Sequence, residues 1–492
     1  MQKEKPYIHL FKTPGGYFIY DVNTNAIIKI QESIYNFLED DQKNNINNES
    51  KYDNNEYKKI IDSITKLKEK GFLSTKRVKE LIHTSSSTLE YILGNKLRMI
   101  ILQVTQQCNL RCEYCAYSDK YLNRVHANER MDFDTAKKGI EFLIDHSKDV
   151  DQVHISFYGG EPLLEFDLLK KCINYAIEIG EGKKVTFGLT TNATLFTKEM
   201  IEFFEQHDVN IMISLDGPKE IHDENRKFSV SNKGSFDKIL SNLEFFKTNY
   251  PEYFKKVSFN IVMDKKNDFD YINEFFNTCE MIKDNMVNMS AISSNYAKFE
   301  NNSSEDFDTK LQYELFKLYL NKVNRLDVKH VSKLLANEYD MLIKKTIEER
   351  ELTRSLPDKT HHSGPCIPGA VRLFVDVHRN LFPCERVSET SKVMKIGHLD
   401  TGFDIEQVDT LLNIGKITEN KCLNCWAFRF CTLCAASADD TNELSSDIKL
   451  SNCYKVRVGQ EQFFRNYCTL IDLGHSFEDD NNRYFLMEDL NE

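Results

Sequence analysis

Three cysteines crowd one short segment, Cys108-Asn109-Leu110-Arg111-Cys112-Glu113-Tyr114-Cys115. Thiolates at that spacing can hold three irons of a 4Fe–4S cluster and leave the fourth iron open to chelate a ligand. A structural zinc site usually closes with four ligands, but spacing alone leaves zinc open. A second array lies far downstream: Cys366 and Cys384, then Cys422-Leu423-Asn424-Cys425, Cys431-Thr432-Leu433-Cys434 and Cys453. Paired C-x-x-C units in isolation suit zinc and iron–sulfur about equally. The N-terminal MQKEKPYIHLF has no apolar h-region, and no apolar run approaches the ~18 residues that span a bilayer. The expectation is a cytoplasmic protein with no membrane partner, whose 13 cysteines serve metal or catalysis rather than disulfides. A net charge of −12 argues against nucleic acid as the main partner.

The first triad stands directly after an apolar run, Met99–Thr105, and three further motifs follow three further apolar runs. They are Tyr158-Gly159-Gly160-Glu161-Pro162, Thr190-Thr191-Asn192 and Ser214-Leu215-Asp216-Gly217-Pro218. Each alone could be a turn. In this order and register the four resemble the radical SAM (S-adenosylmethionine) superfamily. The resemblance implies a 4Fe–4S cluster on Cys108, Cys112 and Cys115, and SAM held by Gly159, Gly160, Glu161 and Pro162 around its amino group. Thr191 and Asn192 would lie near the ribose, Ser214 and Asp216 in the fourth loop, Arg226 at the methionine carboxylate, and the Tyr114 backbone at the adenine. Glycines suit a place where backbone approaches a ligand closely. The implied chemistry is reductive cleavage of SAM to a 5′-deoxyadenosyl radical that abstracts a substrate hydrogen, with the protein positioning the cofactor.

Downstream of such a core, the second array resembles the SPASM domain, which holds two auxiliary 4Fe–4S clusters. The resemblance assigns Cys366, Cys384 and Cys434 to one cluster, and Cys422, Cys425, Cys431 and Cys453 to the other. The first then has three evident cysteines, and a substrate thiolate could complete it. Two positions depart from the usual pattern: Arg379 stands where glycine is common, and the last pair is C-x-x-C rather than C-x-x-x-C. Glu385, beside Cys384, is the candidate carboxylate base. Cys172, Cys279 and Cys468 read as core packing, and His154 as structural.

The elements that must position these residues are legible as pattern. Met99–Thr105, Val153–Phe157, Val185–Thr190, Val209–Ser214 and Val257–Val262 are short β-branched runs of the kind buried in parallel sheets. Helical segments alternate with them, and Leu168, Leu169, Cys172, Ile173, Ala176 and Ile177 mark one helix face. Ligands of such sheets bind at the C-terminal strand ends, where all four motifs fall. The fold class expected is α/β: a partial parallel (β/α)6 barrel with a small N-terminal α+β winged-helix-like domain and a C-terminal cysteine-rich iron–sulfur domain. The divisions are a recognition-like domain at 1–80, the core at 96–300, a helical bridge at 301–360, the auxiliary-cluster domain at 361–470 and a tail at 471–492. A hairpin is expected from strand Val371–Val377 through turn His378-Arg379-Asn380 to Cys384.

In the first 80 residues, strands Tyr7–Lys12, Gly16–Asp21 and Ala26–Ile30 precede helical patterns Ser33–Leu38 and Tyr57–Lys70. The simplest reading is a three-stranded sheet with helices, and the Asn-rich stretch 41–55 between the helices reads as a mobile loop. This region resembles the peptide-recognition domain of ribosomal-peptide maturases, where a leader peptide adds as a strand to a sheet edge. The sequence around the cluster is similar to maturases of cysteine-rich peptides. The expected partners are a precursor peptide with a leader sequence and an external electron donor such as flavodoxin or ferredoxin. The expected product is a Cys thioether crosslink. The alternatives are a formylglycine-forming enzyme like the anaerobic sulfatase maturases, a carbon–carbon crosslinking or epimerising maturase, and a non-catalytic iron–sulfur carrier.

Overall fold

The computed structural model describes residues 5–43, 51–122, 124–299, 304–344, 348, 350–362, 366–477 and 484–486. Much of the Asn-rich stretch, residues 44–50, lies outside them, as does most of the tail.

The centre is a mostly parallel sheet. Strands β4 (Met99–Thr105), β5 (Gln152–Gly159), β6 (Lys184–Thr191), β7 (Asn210–Ser214), β8 (Ser258–Met263) and β9 (Met286–Ala291) pair in chain order, each parallel to the next. Sequential parallel neighbours follow from β-helix-β alternation, because each crossover helix returns the chain to the same sheet end. On β4, Ile100, Leu102 and Val104 are fully buried and pack with Ala136, Ile140 and Leu143 of helix α3 (Phe133–Asp145). That helix starts where the Asp132 carboxylate accepts the Thr135 N–H. The sixth strand, β9, carries Asn288 and Ser290 within MVNMSA, a weaker apolar signal than the other five.

The C-terminal region does not stand apart. Strand β10 (Leu373–Val375) adds parallel to β4 on its free side, and β11 (Asn380–Phe382), β12 (Gly397–His398) and β13 (Gly402–Phe403) continue the same sheet antiparallel. The expected strand Val371–Val377 is therefore shorter at both ends. Its turn has a specific chemistry: the Asp376 carboxylate accepts the His378 and Asn380 N–H groups, and Arg379 takes φ +71°. Glycine is common there because a left-handed backbone disfavours a Cβ. Arg379 is held in it by bonds to Thr135 Oγ1 (3.0 Å) and Asp134 (2.8 Å).

The N-terminal strands β1 (Ile8–Thr13), β2 (Gly16–Asp21) and β3 (Ala26–Ile30) form an antiparallel meander. The sheet has a fourth strand that sequence did not suggest: β14 (Tyr484–Leu486) adds parallel to β3, with Phe485 opposite Ile28. Alternation divides the meander between two cores. Ile19 and Ile28 face α1 (Glu32–Gln42) and α2 (Asn54–Glu69), with Ile34, Leu38, Ile60 and Ile64. Phe11, Phe18 and Tyr20 belong instead to the main core. There Tyr20 and Phe11 meet Phe464 of helix α9 (Ser446–Asp472).

Candidate functional site

Cys108 begins the loop after β4, and Leu110–Cys112 form a short strand antiparallel to Arg226–Phe228, with Cys112 opposite Arg226. This pairing carries the fourth loop to the cysteine loop. The sulfurs are held locally: Leu110 N–H donates to Cys108 Sγ (3.3 Å) and Tyr117 N–H to Cys115 Sγ (3.4 Å). Burial pushes all three thiols up, Cys112 to about 12. Such thiols are poor free nucleophiles, but a cationic centre that takes them as thiolates removes that cost, so the donor set fits a metal cluster.

The second motif packs against the same loop. Gly160 N–H donates to Thr105 O (2.8 Å) and Glu161 N–H to Gln107 O (2.8 Å). A Cβ on Gly159 would lie 2.0 Å from Thr105 O, and one on Gly160 2.0 Å from Gln107 O. Close backbone-to-backbone packing by itself therefore requires glycine at both positions. Pro162 starts a short 3-10 turn behind them. Glu161 is almost fully buried and joins strand ends: its carboxylate accepts from Thr191 Oγ1 (2.6 Å), Asn192 N (2.8 Å) and Leu163 N (3.1 Å). Burial raises its pKa and these bonds oppose the rise. The Asn192 amide reaches back to Asn109 Oδ1 (2.9 Å) and Cys108 Sγ (3.9 Å).

The fourth loop differs more from expectation. Arg226, the candidate for the methionine carboxylate, forms a two-pronged pair with Asp216, Nε to Oδ2 at 2.8 Å and Nη2 to Oδ1 at 3.1 Å. Both side chains are buried, at 8% and 2% exposure. The Tyr114 hydroxyl and the Val262 N–H also donate to Asp216, and the Tyr114 ring lies 5.4 Å from the Arg226 guanidinium. Despite burial, Arg226 holds the Asp216 carboxyl below its ordinary value. Arg226 lowers Cys112 in turn. Ser214 is buried at the end of β7, one residue before this network. The structure therefore brings the four motifs to one end of the sheet, and makes Asp216 the anchor of Arg226.

A neighbouring buried cluster was missed. Gln103 lies fully buried in β4, its amide nitrogen 2.8 and 2.9 Å from the Glu389 carboxylate oxygens and 2.9 Å from the Tyr117 hydroxyl. Arg124 pairs with Glu389 at 2.6 Å, with both side chains buried. Its guanidinium sits 5.1 to 5.7 Å from the rings of Tyr117, Phe374 and Tyr158. It also donates to the carbonyls of Glu385 and Val387. Burial raises Glu389 against the pull of Arg124. One signal was available: Gln103 is the polar residue inside the apolar run MIILQVT.

The downstream cysteines lie in two neighbourhoods. Cys366, Cys384 and Cys434 interact electrostatically with one another. Beside them Glu385 is paired with Arg372 at 2.8 Å, so the candidate base is charge-compensated. Cys422, Cys425, Cys431 and Cys453 line a cavity of about 620 Å³. Among the described residues, no three His, Cys, Asp or Glu side chains gather closely enough to hold a single metal ion. The N-terminal sheet is seated on the four-cysteine group: Tyr7 Oη donates to Cys425 O (2.8 Å), and His9 stacks on Trp426 at 3.7 Å. Cys172 and Cys468 are core residues within helices. Cys279, half-buried just past the end of the helix Phe269–Thr278, packs against the main core. His154 bonds Thr186 Oγ1 across strands, a structural role.

Residues 102–279 match the sequence profile of the radical SAM superfamily. The serine-type anaerobic sulfatase-maturating enzyme of Bacteroides thetaiotaomicron is 32% identical over 159 residues, 32% of this chain and 38% of that one. The radical SAM cyclopropyl synthase of Paramaledivibacter caminithermalis is 23% identical over 286 residues, 54% of this chain and 58% of that one. The chain spans 38–46% of the length of the first curated relatives it matches. Among solved structures, native anSMEcpe with bound AdoMet superimposes with a TM-score of 0.57 at 20% identity, over 77% of this chain and 100% of that one. Among the described residues, no helix is long and apolar enough to cross a membrane. From its motifs, its sheet and these relatives, the chain carries a radical SAM domain, homologous to that of the anaerobic sulfatase-maturating enzymes.

Proposed function

We propose that this protein is a radical SAM maturase of a ribosomally made peptide, and that it forms thioether crosslinks at the peptide's cysteines. The domain implies a 4Fe–4S cluster and SAM; when bound, they supply a 5′-deoxyadenosyl radical that abstracts a substrate hydrogen. In this reading Cys108, Cys112 and Cys115 hold the cluster. Gly159, Gly160, Glu161 and Pro162, with Thr191, Asn192, Ser214 and Asp216, shape the SAM site, and Tyr114 and Arg226 close it beside Cys112. Cys366, Cys384 and Cys434 hold one auxiliary cluster with a position open to a substrate thiolate. Cys422, Cys425, Cys431 and Cys453 hold the other. Glu385, once released from Arg372, is the base for the thiol proton.

The observation that carries the proposal is the seating of the N-terminal sheet directly on the four-cysteine group. A sheet edge recognises an extended peptide through main-chain hydrogen bonds, and β1, which makes this contact, is an edge strand, which supports the reading. The contact is made at β1, one edge of the sheet; a leader strand at the opposite, β3 edge must displace β14. The electron enters from an external donor of the flavodoxin or ferredoxin class.

The second reading is formylglycine formation on a sulfatase. It is supported by relatives of 31–32% identity that are anaerobic sulfatase-maturating enzymes. One experiment separates the two. The protein is reconstituted anaerobically with iron and sulfide, then supplied with SAM, a reductant and a cysteine-rich precursor peptide or a sulfatase peptide. Thioether formation removes two hydrogens per linkage and leaves the cysteine resistant to alkylation. Absence of 5′-deoxyadenosine with either peptide refutes both readings, and a modified sulfatase peptide alone reverses their order.

A further inference from the structure

Lys449 lies on α9, one turn before Cys453, and is 1% exposed. Its ammonium donates to Thr418 Oγ1 (2.8 Å) and points at Cys422 Sγ (3.7 Å). Among the described residues, no carboxylate forms an ion pair with it, and the lining of the four-cysteine cavity contains no Asp or Glu. Arg457, one further turn along the helix, also lines that cavity and bears on Cys425 and Cys453.

A buried lysine without a carboxylate partner is costly unless another anion compensates it. Among the described residues that line the cavity, the four thiols are the only groups that can become anions. The three-cysteine group is different in kind: the charges beside it, Glu385 and Arg372, form an ion pair at 2.8 Å and offset each other.

We propose that Lys449 is the fixed counter-charge of the four-cysteine centre and holds that centre at a raised reduction potential. The inference rests on the auxiliary-cluster reading given above. Four thiolates around a 4Fe–4S core of charge +2 carry a net charge of −2, and one electron from an external one-electron reductant takes it to −3. A buried cation favours the more negative state, because low-dielectric surroundings leave their attraction weakly screened. The gradient between the two groups then runs one way. An electron released during peptide oxidation moves from the three-cysteine centre, beside the Glu385–Arg372 pair, toward the four-cysteine centre, whose lining holds the cations Lys421, Lys449 and Arg457.

The test is an anaerobic redox titration of the loaded full-length protein, followed by electron paramagnetic resonance. The four-cysteine signal is the one lost in Cys453→Ala. Lys449→Met should lower the reduction equilibrium constant of that signal at least tenfold, or 59 mV for one electron. Lys449→Arg should leave it within a factor of two. An unchanged midpoint in a loaded Lys449→Met protein overturns the proposal. If that variant does not load, Thr418→Val decides: it frees the ammonium from its anchor, so a smaller downward shift supports the proposal and no shift overturns it. Zinc in the wild-type group, with no signal lost in Cys453→Ala, refutes the cluster reading itself before any lysine variant is measured.

Discussion

His222 tests whether the network behind the fourth loop is built as a neutral, closed arrangement. Its imidazole is fully buried. Nδ1 accepts the Asp216 N–H (3.3 Å), and Nε2 meets Ser235 Oγ (2.9 Å), whose own proton goes to Arg226 O (2.9 Å). That pattern assigns the proton to Nε2 and leaves no acceptor for a second proton on Nδ1. Burial pushes the pKa from 6.5 to about 4, with Asp216 pulling it up and Arg226 pushing it down. The folded value lies below the unfolded one, so the full stability is present above pH 6.5 and is lost as pH falls toward 4. At about 1.4 kcal/mol per unit, the loss over the window is about 3 kcal/mol. The perturbation is His222→Gln, which keeps a donor for Ser235 and cannot titrate. Urea unfolding read by proteolysis at a series of pH values gives the free-energy gap between wild type and variant. The gap at pH 7 favours wild type and should close by about 3 kcal/mol as pH falls to 4. A gap constant to within about 0.5 kcal/mol across that range would falsify the assignment of a buried neutral imidazole.

Three more outcomes are expected. Arg124→Met strands the buried Glu389 carboxylate without its cation and should cost about 3–5 kcal/mol in urea unfolding, while Arg124→Met with Glu389→Leu should cost less than the sum of the two; additive costs refute the pairing. Arg379→Gly relieves a left-handed backbone worth about 1 kcal/mol and forfeits a surface pair of similar size, so its melting temperature should stay near wild type, whereas Arg379→Val should be clearly lower. Ending the chain at Phe477 removes β14 and frees the β3 edge, so a fluorescent leader peptide should bind at least tenfold more tightly by anisotropy; unchanged affinity means that β14 does not occupy the leader's edge.

Much of the site was legible because its chemistry is local. The spacing of Cys108, Cys112 and Cys115, and their place after an apolar run, needed no knowledge of packing. The same holds for Glu161, Asn192 and Asp216, since turns at strand ends are set by neighbouring residues. Individual roles were less legible. Arg226 reads in the sequence as a candidate partner for a ligand carboxylate, and nothing there says that its fork closes on Asp216, ten residues earlier. Arg124 and Glu389 carry no local signal at all, since their pairing joins segments 265 positions apart.

The sequence by itself determined the strand-and-helix alternation and the order of the motifs along it, both of which rest on periodicity and short-range spacing. Only the tertiary structure decided what each charged group faces. It turned Asp216 into an anchor and placed Lys449 beside Cys422. It also ran β14 along β3 and seated the N-terminal sheet on Trp426. The last two are contacts between segments hundreds of residues apart. They are fixed by which surfaces the folded chain buries together, and burial, rather than spacing, sets the cost of a charge.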